Sequence, residues 1–92
     1  MTARIKTFDK GIPYEMELVR DTEKDKYVVQ FTSCDARVSN YERHEFDQYS
    51  DAWNCFARNM HYYNDVVPAP ISEEQFLGLP KGFLYPKQEV TA

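Results

Sequence analysis

Residues 14–32 read YEMELVRDTEKDKYVVQFT, and the reading of this stretch decides the fold. In YEMELVR, Tyr14, Met16 and Leu18 fall on one side while Glu15, Glu17 and Val19 fall on the other, the period of two that marks a half-buried strand. KYVVQFT repeats the pattern: Tyr27, Val29 and Phe31 share one face, and Lys26, Gln30 and Thr32 share the other with Val28. Between the runs lies DTEKD, polar, lacking large apolar residues and of hairpin-loop length, so the two strands are expected to pair antiparallel. Upstream, ARIKTF reads as a further strand ended by Asp9, Lys10 and Gly11, where Gly11 can supply a positive φ and Pro13 then fixes an extended entry. The result is a three-stranded meander. Downstream, ARVSNYERHEF alternates more weakly, Val38, Asn40, Glu42 and His44 against Ser39, Tyr41 and Arg43, with mostly polar residues on both faces; such a strand fits a sheet edge.

Beyond it the period changes from two to 3.6. In SDAWNCFARNMHYYNDVV, residues 50–67, steps of about 100° bring Ala52, Trp53, Phe56, Met60, Tyr63 and Val67 into one core-facing arc. His61, Asn54, Asp65, Arg58 and Asp51 lie opposite, with Tyr62 just beyond. Ser50 is a suitable N-cap, Asp51 in the first turn complements the helix dipole, and Pro68 follows the end, so a helix is expected over 51–65. Residues 68–92 hold four of the five prolines and two of the three glycines, which argues against regular sheet. Within them, Ser72 and Gln75 form a capping-box pattern ahead of a single helical turn, with Phe76 and Leu77 expected to pack inward. Phe83, Leu84 and Tyr85 read as the last anchors of a wrapping tail, and the final KQEVTA should fray. The expected class is α+β: one domain over 1–92, with antiparallel strands in 1–46, the main helix at 51–65 and an irregular C-terminal segment over 68–92. The sheet has three to four strands packed against that one helix.

Ninety-two residues, 42% hydrophobic and 15% aromatic, suffice for one core. No apolar run approaches the length of a bilayer span, and MTARIKTFDKG lacks the h-region of a signal peptide, so the default compartment is the cytosol and no membrane partner is expected. Eleven Lys and Arg against fifteen Asp and Glu give a net charge of −4, which disfavours binding to free duplex DNA by charge alone. Most acids nevertheless have a Lys or Arg within a few positions, unlike the massed carboxylates of a DNA mimic. Cys34 and Cys55 allow at most one bridge, and the chain reads as one with reduced thiols.

Catalytic constellations are not legible. Cys34, His44, Cys55 and His61 lack the spacing of a zinc site, and no glycine-rich phosphate loop can be built from three scattered glycines. Glu15 with Glu17, or His44 with Glu45, Asp47 and Asp51, would be the residues of a metal-dependent hydrolase, but a solvated strand face explains the first pair better and no flanking sequence fixes the second group at ligand spacing. Ser33-Cys34-Asp35 reads as a loop, with no base tied to the thiol. The expectation is therefore a non-enzymatic protein without catalytic residues, metal or cofactor. Two surfaces are credible for partner binding. One is the exposed helix face carrying Asn54, Arg58, His61 and Tyr62, a guanidinium, an amide and two stacking rings. The other is Lys24, Lys26, Arg37, Tyr41 and Arg43, if the hairpin loop and the edge strand are neighbours.

The run MTARIKTFDKGIPYEMELVRD at the start and FDQYSDAWNCFARNMHYYND at the helix give the whole chain a likeness to a known family. It resembles the phage-encoded anti-CRISPR proteins of the type I-F class, the family numbered eighth in that series. The likeness has no short signature motif and assigns no contact residues. It implies a non-enzymatic inhibitor in the cytoplasm of an infected bacterial host, one that binds the crRNA-guided surveillance complex at its protein backbone and guide RNA and blocks hybridisation with target DNA. The alternative reading is a small regulatory domain that acts on a host transcription or other enzyme complex through protein contacts.

Overall fold

The computed structural model describes residues 14–33 and 41–79, together with the backbone of 4–7 and 83–84. Its strands are β1 (Arg4–Thr7), β2 (Tyr14–Asp21), β3 (Lys26–Ser33), β4 (Tyr41–Phe46) and β5 (Phe83–Leu84), and its helices are α1 (Tyr49–Asn64) and α2 (Glu73–Leu77). The fold is α+β, a sheet in the strand order β4-β3-β2-β1-β5, antiparallel from β4 through β1, packed against one main helix.

The hairpin sets the register. Tyr14 stands opposite Ser33 and Asp21 opposite Lys26, so Met16 faces Phe31 and Leu18 faces Val29 across the ladder. All four are buried, as expected from the alternation. The turn itself, Thr22 to Asp25, is built locally. The Asp21 carboxylate accepts from the backbone N–H groups of Glu23 and Lys24, and Asp25 takes a positive φ of 57°, which its short side chain tolerates. Arg20 then bonds Asp25 and lies 4.8 Å over the Tyr27 ring.

Strand β4 closes one edge of the sheet, opposite β3. Glu42, His44 and Phe46 share the helix side with Phe31, Val29 and Tyr27, while Tyr41, Arg43 and Glu45 share the open side with Thr32, Gln30 and Val28. At the other edge the two-residue β5 pairs parallel with β1, Ile5 opposite Phe83 and Lys6 opposite Leu84. That strand was not expected among the prolines. Two residues need no alternation to add to an edge, so periodicity could not reveal it. Gly11, Pro13, Cys34, Arg37 and Tyr85 lie outside the described residues.

Helix α1 buries Ala52, Trp53, Cys55, Phe56 and Met60 against Met16, Leu18, Val29 and Phe31. Burial of Trp53, Phe56 and Met60 contributes on the order of 1.5–3 kcal/mol each. Three details depart from the sequence reading. The N-cap is Gln48, which gives no side-chain cap bond, and Ser50 is already helical. The two added residues are held by packing: Tyr49 is buried, lies against the rings of Tyr27 and Phe76, and its hydroxyl donates to the Ile71 carbonyl at 2.6 Å. The helix ends at Asn64 because Asp65 takes a left-handed conformation at φ 58°, its N–H bonding the His61 carbonyl. Val67 therefore leaves the helix and the core arc, and is 77% exposed.

The capping box at α2 is present as expected, Ser72 Oγ accepting from the Gln75 N–H while Gln75 Oε1 accepts from the Ser72 N–H. Phe76 is fully buried between Tyr27 and Tyr49, but Leu77 points outward, since one turn presents one residue to a core. No helix among the described residues is long and apolar enough to cross a membrane.

Candidate functional site

The solvent face of α1 follows from the packing of its other side. With Ala52, Phe56 and Met60 turned to the sheet, Ser50, Asp51, Asn54, Arg58, His61, Tyr62 and Asp65 are left exposed. The structure thus brings together all four helix residues singled out by sequence. Asn54 and Arg58 are four residues apart, as are Arg58 and Tyr62, so each pair lies within about 6 Å at Cβ. Tyr62 is 77% exposed and braced edge-on at 4.8 Å by Tyr63, whose ring lies tilted against that of Tyr14 at 4.4 Å. That row of rings runs on through Phe31 to His44 on the edge strand.

Charge separates this face from the rest. Arg20 pairs with Asp25, Lys24 with Glu45 at 3.8 Å, Lys26 with Asp47, and Arg43 with Glu45 at 3.1 Å. Arg58 has no such carboxylate; among the described Lys and Arg side chains it is the one without an ion pair. Its charge reaches the neighbouring Cys55, yet burial outweighs it and pushes that thiol up. Asn54 and His61 likewise make no side-chain hydrogen bond with a described residue.

The second surface proposed from sequence is arranged differently. Lys24, Lys26, Tyr41 and Arg43 are neighbours of the β3–β4 ladder, while Arg37 is outside the described residues. Their charges are spent internally. The Asp47 hydrogen bond raises the Lys26 ammonium, Arg43 Nη1 and the Tyr41 hydroxyl both donate to Gln30 Oε1 at 3.1 Å and 2.9 Å, and Gln30 Nε2 donates to Glu17. Gln30 is the hub that sequence reasoning missed, since a strand glutamine carries no signal of its own. Beside it lies a shallow depression lined by Glu15, Glu17, Gln30, Thr32 and Tyr41. The surface is a self-satisfied polar network of mixed sign.

The residues weighed for hydrolysis are dispersed. His44 lies on the helix side of β4, bonded to Glu42 at 3.1 Å, whereas Glu45 lies on the opposite face with Glu15 and Glu17. Among the described residues no group of three or more His, Cys, Asp and Glu side chains is gathered to hold a metal ion. Comparison with protein-family models, with curated proteins and with solved structures yields no match.

Proposed function

We propose that this protein is a non-enzymatic inhibitor of a type I-F CRISPR surveillance complex, binding its protein backbone and guide RNA and blocking target-DNA hybridisation in the cytoplasm of an infected bacterial host. The observation that carries the reading is the likeness of residues 1–21 and 46–65 to that anti-CRISPR family. The exposed face of α1 supports it physically. A stoichiometric blocker needs a rigid surface with a few anchors, and Arg and Tyr are the side chains most often found as such anchors. Arg58 and Tyr62 are held on a helix whose opposite side is fixed in the core, so little order is lost when they bind.

The test is co-elution. Purified protein mixed with the assembled surveillance complex should shift to the complex's position on size-exclusion chromatography. Separate elution would end the proposal. Crosslinking to the guide RNA distinguishes this reading from a regulatory domain that touches protein alone, since only the inhibitor should crosslink.

A further inference from the structure

The charges on the α1 face follow a spacing of their own. Asp51 and Arg58 are separated by seven residues, two helical turns or about 10.5 Å, and share one exposed side, while Asp65, the exposed left-handed C-cap seven residues further on, sets a second acid at the helix end. Asn54, His61 and Tyr62 fill the intervals. Asp51, Arg58 and Asp65 together sum to −1, and Arg58 has no carboxylate partner among the described residues. A phosphate backbone presents charges of one sign at every nucleotide, so this row would repel it at two of its three charged positions. A folded protein surface can instead match the alternation.

From this we infer that the α1 face docks on protein, against a partner surface that presents a carboxylate to Arg58 and basic side chains to Asp51 and Asp65, with Tyr62 as the aromatic anchor beside the central ion pair. The inference rests on the proposed function and divides it: α1 takes a protein subunit, and any contact with guide RNA is made by another part of the molecule. Arg58 engages a carboxylate through its planar fork, which Lys cannot reproduce.

The charge signs provide the experiment. Affinity for the surveillance complex is measured for the wild type, Arg58→Glu, Arg58→Lys and the double variant Asp51→Asn with Asp65→Asn; Asn is chosen because it tolerates the left-handed conformation at 65. Arg58→Glu should weaken binding by about 100-fold and Arg58→Lys by about 10-fold, with the fold intact by circular dichroism. The double neutralisation should weaken binding by about 3- to 10-fold. If α1 instead faced RNA, removing two negative charges would tighten binding and steepen its salt dependence. Tighter binding by the double variant, or an Arg58→Glu affinity within about twofold of wild type, overturns the inference while leaving the proposed function standing. Absence of wild-type binding overturns both.

Discussion

The Asn64 amide forms with Tyr14 the reciprocal pair of bonds that two residues exchange across an antiparallel ladder: the Tyr14 N–H donates to Oδ1 at 2.9 Å, and Nδ2 donates to the Tyr14 carbonyl at 3.0 Å. A helix side chain thus ties the last turn of α1 to the first residue of β2. Asn64→Ala removes both bonds at a buried position and should cost about 1–3 kcal/mol in urea unfolding, with Asn64→Asp also destabilising because it loses the donor. Tyr27 is a second such residue. Burial, reinforced by its bond to Glu73, pushes its phenol up to about 12, above the ordinary value of about 10. A phenol raised on folding stabilises in full below the unfolded pKa and loses that contribution as pH rises through the folded one. The gap in stability between wild type and Tyr27→Phe should be on the order of 1–3 kcal/mol at neutral pH and close between about pH 10 and 12. Urea titrations of both proteins at rising pH measure it; a gap unchanged up to pH 12 would contradict the assignment. Neither residue was legible as special, for Asn64 reads as a polar helix position and its partner is fifty residues away.

At the scale of elements, the legible parts were those whose sequence period is long enough to register. The β2–β3 hairpin, with eight residues per strand, came through with both faces correct, and so did the exposed side of α1 and its buried Ala52, Trp53, Phe56 and Met60, whereas Val67 falls past the helix end and Asn64 is buried. Element ends were less legible because tertiary contacts decide them. Tyr49 joins the helix through its ring contacts and its bond to Ile71, overriding the local preference for Ser50 as cap, and Asp65 ends it one residue early. Helix α2 shows how local and tertiary terms divide. Ser72→Ala removes the cap and should cost about 1 kcal/mol, read mainly as faster amide exchange in residues 73–77. Phe76→Ala empties a fully buried site and should cost about 3–5 kcal/mol in global unfolding, as should Trp53→Ala. If Phe76→Ala affected only the exchange of α2, the segment would be an appendage to the core and the aromatic cluster of Tyr27, Tyr49 and Phe76 would be misassigned.

For the whole molecule, the −4 charge sharpens into a distribution. Described Lys and Arg side chains are matched by carboxylates everywhere except at Arg58, so the chain presents mixed charge on the open sheet face and a single unpaired cation on the helix. The helix candidates were legible because amphipathicity assigns a solvent side directly. The strand candidates were legible as neighbours but not as an ion-paired network, since pairing depends on register across β3 and β4 and on Gln30. Under the proposed function, such a molecule blocks target capture by stoichiometric occupation of a surveillance complex. The most direct test is the binding of labelled target DNA to a type I-F complex preincubated with increasing amounts of this protein, read by gel mobility. The account predicts that DNA binding falls linearly to background at a fixed stoichiometric ratio and that the DNA remains uncut. Undiminished DNA binding at a large molar excess of the protein would contradict it.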